Sequence, residues 1–140
     1  MLLTLDLNSE VPIYQQLRDR VVEAIAVGEL ATGSALPSTR ELAADLGINF
    51  HTVNKAYDLL RQEGLLILNR KSGAVIQRDP ASGPPPTVFT EQWRARLRTL
   101  LAEAAAQGLD GPAVLADCAA TLDGFGLPSA LPAPELGDPA

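Results

Sequence analysis

Proline placement constrains this chain more than any other feature. Of its 11 prolines, Pro80, Pro84, Pro85 and Pro86 crowd into one short stretch, with Ser82 and Gly83 among them. Each proline lacks an N–H donor and biases the residue before it away from helical geometry, so neither a helix nor a sheet ladder continues through such a run. The chain therefore divides into residues 1–79, a Pro-rich linker at residues 80–86, and a following segment at residues 87–123. A second group (Pro128, Pro132, Pro134 and Pro139) lies in a stretch without apolar periodicity, and residues 124–140 are expected to form a disordered tail. No internal repeat is visible.

Composition limits the chemistry. With 140 residues and 46% hydrophobic side chains, the chain suits one or two small domains. A single cysteine, Cys118, excludes an internal disulfide. The single histidine, His51, has no Cys or His partners at zinc spacing, and no Gly-rich phosphate loop is present. No metal, cofactor or enzymatic activity is expected. Met1 to Asp6 carries a carboxylate and no basic start, unlike a signal peptide, and no apolar run approaches the roughly 20 residues that cross a bilayer. The expectation is a reduced cytoplasmic protein without membrane contact. The net charge of −6, from 11 basic and 17 acidic residues, taken alone argues against nucleic acid, because phosphate binding needs local positive charge.

Residues 1–79 read as three helices and a hairpin. Pro12 suits the first turn of a helix that stops at Gly28, with Ile13, Leu17, Val21 and Ile25 on one stripe. Ser38-Thr39-Arg40-Glu41 forms a capping box for a short helix, apolar at Leu42, Ala43 and Leu46 and ended by Gly47. Asn49 caps a third helix with Val53, Ala56, Tyr57 and Leu60 inward, stopped by Gly64. Leu65 to Leu68 is expected as a buried strand, followed by a turn over residues 69–73 and a returning strand from Ala74 to Gln77. Two short helices joined by a tight turn make a helix-turn-helix, and the hairpin supplies a wing. Such a unit presents the start of its second helix to the DNA major groove, and here that end carries Phe50, His51, Thr52, Asn54 and Lys55.

Several spaced blocks now carry a resemblance. Pro12-Ile-Tyr-Gln-Gln-Leu, Gly33-Ser-Ala-Leu-Pro-Ser-Thr-Arg-Glu-Leu-Ala, Thr52-Val-Asn-Lys-Ala-Tyr and Glu63-Gly-Leu resemble the N-terminal domain of GntR-family transcriptional regulators, through Gly73. The resemblance implies a mainly α protein with a winged helix-turn-helix, acting as a homodimer on double-stranded DNA at a pseudo-palindromic operator. The short C-terminal part resembles the YtrA-type subfamily, which implies a repressor of an operon, often transporter-linked. No effector signal is visible.

The resemblance also implies residue roles. Arg40 matches a DNA-contacting arginine and can hold a phosphate or reach guanine O6 and N7. Ser38, Thr39, Asn49, Thr52 and Asn54 belong to the same expected surface, with Ser38 and Asn49 also acting as caps. Gly73 matches the wing-tip glycine. Lys55, Arg70 and Lys71 are expected backbone contacts. Phe50 and His51 depart from the family pattern. Phe50 either meets a thymine methyl or folds back onto Leu46 and Ile48, and His51 is expected on a base edge or phosphate. A winged helix that has lost DNA and binds another protein is the competing reading, which the acidic total favours.

In residues 87–123, Thr90 is expected to cap a helix with the stripe Trp93, Leu97, Leu100, Leu101 and Ala104. Pro112 opens another helix with Leu115, Cys118, Ala119 and Leu122. Two helices cannot build an independent core, so Trp93, Leu97, Leu100, Leu101, Leu115, Cys118 and Leu122 are expected in a two-fold dimer interface, with docking onto residues 1–79 as the alternative. Cys118 is expected to be a small buried hydrophobe. The charge is divided in the same way. Residues 1–78 carry 8 basic and 9 acidic groups, residues 79–140 carry 3 and 8, and residues 46–78 alone carry 5 and 2. Steering follows that local excess more than the total.

Overall fold

Local signals set most of the elements. The structure is a computed structural model and describes residues 4–69 and 73–127. Helix α1 (Ile13–Ala26) begins directly after Pro12, whose carbonyl accepts the Gln15 and Gln16 N–H groups. It buries Leu17, Val21, Ala24 and Ile25. The buried Gln16 is a polar exception that is fully used: its amide donates to the Asp6 and Val11 carbonyls at 2.9 and 2.8 Å and accepts the Asp6 N–H at 2.7 Å. One side chain thereby fastens the residues preceding α1.

After strand β1 (Ala35–Leu36), Ser38 caps helix α2 (Thr39–Leu46) by accepting the Glu41 N–H at 3.1 Å. Only this half of the expected capping box forms; the Glu41 side chain does not return to Ser38. Gly47, at φ +68°, closes the helix in the left-handed region that L side chains rarely adopt. Helix α3 (Phe50–Gln62) starts at once, with the Asn49 side chain accepting the His51 N–H at 2.8 Å. Val53, Ala56, Tyr57 and Leu60 are buried against α1 and α2. Burial of each aliphatic side chain of this kind contributes about 1.5–3 kcal/mol.

Strands β2 (Leu66–Asn69) and β3 (Gly73–Ile76) form the wing, and β1 adds to the other edge of β3, giving an antiparallel sheet in the order β1-β3-β2. Leu66 faces Ile76, Leu68 and Leu36 face Ala74, and Ile67 faces Val75. The expectation of a buried strand from Leu65 to Leu68 is corrected: Leu66 is buried, Leu65 half-buried, and Ile67 and Leu68 are 44% and 49% exposed. Of the wing strands, β2 gives the core Leu66 alone, whereas β3 gives it both Ala74 and Ile76. β1 itself is an addition to the two-stranded wing expected from sequence.

Two compact units result, Met1–Gly83 and Pro84–Ala140. The first half of the expected linker is ordered. Pro80–Ser82 forms a 3-10 turn capped by Asp79, whose carboxylate accepts the Ala81 N–H and, across the domain, the Thr32 N–H. In the second unit, helix α4 (Thr87–Ala106) begins directly after Pro86, not at Thr90, because the proline's fixed φ already starts the turn. Helix α5 (Gly111–Gly124) is capped by Asp110. The two helices touch each other, yet neither buries a residue. Within the single chain the Cys118 side chain is exposed. Most of the expected tail, residues 128–140, lies outside the described residues.

Candidate nucleic-acid interface

The start of α2 is held against α3 by one polar bond. The Tyr57 hydroxyl, on a ring only 1% exposed, donates to the Pro37 carbonyl at 2.7 Å. Burial, reinforced by the nearby Glu41 carboxylate, pushes the phenol well above its ordinary pKa, so it remains a donor at any physiological pH. Sequence reasoning placed Tyr57 in the core and missed this bond. The signal lay in the residue type, since a buried phenol needs a partner.

Between this clamp and the wing lies an open cleft of about 340 Å³ lined by Ser38, Thr39, Asn54, Tyr57, Leu68, Asn69, Gly73 and Ala74. Four residues expected at the DNA surface (Ser38, Thr39, Asn54 and Gly73) are thus brought together from three elements. Gly73 takes φ +74°, and a Cβ there would meet no atom within 4 Å, so the backbone conformation favours glycine, not a lack of space. Leu68 and Asn69 also line the cleft and were not expected there.

Beside it lies an exposed cluster at the starts of α2 and α3. The Arg40 guanidinium carbon sits 4.8 Å from the Phe50 ring centroid, and the Phe50 and His51 rings lie 4.2 Å apart. Phe50 is half-buried and packs against the core, as Leu46 and Ile48 do. Asn49 is committed as a cap, and Thr52 is half-buried in the first turn of α3. Lys55 leaves this group: its ammonium lies 4.0 Å over the Tyr14 ring of α1. Arg70 and Lys71 lie outside the described residues.

The carboxylates near α3 are neutralised locally. Glu63 accepts from Nε and Nη2 of Arg18, each at 2.9 Å, and Asp58 accepts from Arg61 and Gln62. The hydrogen bond from Arg61, helped by its charge, holds the Asp58 carboxyl below the usual range. Neither acid of residues 46–78 therefore stands unpaired. Among the described residues, no cluster of His, Cys, Asp or Glu is placed to hold a metal, and no helix is long and apolar enough to cross a membrane.

Residues 13–76 match the family described as bacterial regulatory proteins, gntR family. The solved structure of YtrA from Sulfolobus acidocaldarius, a GntR-family transcription factor, is 39% identical with a TM-score of 0.60, covering 76% of this chain and 99% of that one. The chain belongs to the GntR family. A second GntR-like match is the HTH-type transcriptional repressor YtrA of Bacillus subtilis, 36% identical over 56% of this chain. There the chain spans 60% of the relative's length, and it spans less than two thirds of each of the curated relatives most similar to it. The structure of a transcriptional antiterminator from Listeria monocytogenes EGD-e aligns over 91% of this GntR-family chain and 96% of its own, with a TM-score of 0.77 and 27% identity. These likenesses identify α2 and α3 as the helix-turn-helix and β2-β3 as the wing.

Proposed function

We propose that this GntR-family chain is a sequence-specific DNA-binding transcriptional regulator, acting in the cytoplasm as a homodimeric repressor at an inverted-repeat operator. The observation that carries this reading is the convergence of Ser38, Thr39, Asn54 and Gly73 on one cleft, with Arg40 and His51 exposed beside it. Hydroxyls, an amide and a close-approaching glycine suit phosphate and sugar contacts, while Arg40 can take a guanine edge or a phosphate bidentately. Thr52 and the wing residues Arg70 and Lys71 extend the same surface in sequence. Lys55 belongs to it only after leaving the Tyr14 ring.

Dimerisation is supported by the second unit. Trp93, Leu100, Leu101, Leu115 and Leu122 are exposed on α4 and α5, with Leu97 half-buried and Cys118 exposed beside them. A second copy would remove that apolar area from water and set two recognition helices on two half-sites. Repression is supported by the relative named a repressor, and an operon linked to a transporter by the resemblance of the C-terminal part to the YtrA type.

Selection from a random-sequence duplex pool by the full chain tests the reading. The expected product is an inverted repeat whose affinity falls with salt at a slope of about 0.9 per phosphate contact. Arg40→Ala should weaken binding to that duplex by about 1–3 kcal/mol. No enrichment at micromolar protein and low salt would favour the protein-binding alternative.

A further inference from the structure

Phe50 joins the exposed starts of two helices. Arg40 comes from the first turn of α2, His51 follows Phe50 in the first turn of α3, and both lie against its ring, at 4.8 and 4.2 Å. Of the three, Phe50 alone is partly buried and packed on the core. Its position is therefore dictated by the domain interior, whereas Arg40 and His51 are exposed side chains. The ion pairs among the described residues engage Arg18, Arg20 and Arg61; Arg40 has the aromatic face in place of a carboxylate.

We propose that Phe50 is a positioning residue for DNA recognition, whose ring sets Arg40 beside His51 before DNA arrives. The proposal rests on the DNA-binding reading above. A guanidinium is attracted to the negative face of an aromatic ring, and that contact leaves its N–H fork available at the edge for guanine or phosphate. A long side chain already held in place loses less rotamer freedom when the duplex binds. Here the aromatic residue does not read a base. It holds the residue that does.

Leucine separates this role from packing, because it fills apolar space but has no ring quadrupole. Wild type, Phe50→Leu, Phe50→Tyr, Arg40→Ala and the Phe50→Leu/Arg40→Ala pair should be titrated by anisotropy against the duplex that wild type selects from a random pool. Thermal melts of each variant should run alongside. Phe50→Leu is expected to lose about two- to fivefold in affinity, the range of an exposed cation–π contact, with a cooperative melt retained. Phe50→Tyr should bind as wild type, and Phe50→Leu should cost nothing further once Arg40 is alanine. If the leucine variant does not fold, Phe50→Met serves the same comparison. Wild-type binding by Phe50→Leu, or an equal loss in the Arg40→Ala background, overturns the positioning role while leaving DNA binding intact. A wild-type chain that selects no duplex overturns the DNA reading and this proposal together.

Discussion

Both units are built on helices, and they differ in what those helices cover. In Met1–Gly83, α1 and α3 carry side chains with no exposed area at all (Leu17, Val21, Val53 and Leu60), and the sheet closes the far side with Leu36, Leu66 and Ile76. In α4 and α5 nothing is buried, and Leu100 and Leu115 are 61% and 59% exposed. Caps and periodicity are enough to specify a helix, but a core needs a third surface. The first unit finds it within its own chain.

The sharpest way to break this contrast is to delete a core side chain from the first unit. Leu60→Ala should destabilise it by about 2–5 kcal/mol in a denaturant melt, since it removes a fully buried side chain from the core. The reciprocal test inserts a charge in the second unit. Leu100→Asp should leave the first unit's melt within about 0.5 kcal/mol, yet weaken self-association by about 2 kcal/mol or more, as a lost interface anchor does. Light scattering at tens of micromolar should then report monomer, and an unaltered dimer would count against the proposed interface. Tyr57→Phe is a smaller perturbation inside the first unit. Leaving the Pro37 carbonyl without its donor should cost about 0.5–1.5 kcal/mol by thermal melting and loosen the cleft at the start of α2.

The smallest expected effect lies at the edge of the first unit and depends on pH. Backbone N–H bonds from Thr32 and Ala81, with help from Ser82, hold the Asp79 carboxyl below its ordinary value of 3.8. A carboxyl with a lowered folded-state pKa contributes stability that is fully present above the unfolded value. That contribution is lost as pH falls through the folded value. Melts of wild type and Asp79→Asn should therefore differ by a constant amount well above the ordinary value of 3.8, and the difference should shrink as pH falls below it. A difference that grows on acidification would contradict the role assigned to Asp79.

Much of the molecule was legible because its signals are local. Pro12, Ser38, Asn49 and the apolar spacing of α3 each act within one or two turns, and the helices start where those residues direct. What escaped depends on partners distant in sequence. β1 has two residues and no pattern of its own; it exists because β3, about forty residues later, offers an edge to pair with. The contact of Lys55 with the Tyr14 ring of α1 likewise joins residues about forty positions apart. At the site, residue type pointed to Arg40, Thr39 and Asn54, whereas the roles of Phe50 and Tyr57 needed the geometry between helices. Thr90 shows the limit within local reasoning: two start signals compete, and Pro86 comes first.

The pairing of Ala35 and Leu36 with Val75 and Ala74 also has a consequence for synthesis. The whole helix-turn-helix lies inside the loop that this pairing closes. Helices α2 and α3 can form from contacts near in sequence, but β3 must leave the ribosome before Leu36 and Leu66 have their final partners. Closing so long a loop costs little more than closing a short one, so the delay lies chiefly in waiting for the chain. The cleft, which Gly73 and Ala74 help to line, cannot be complete until β3 has been synthesised.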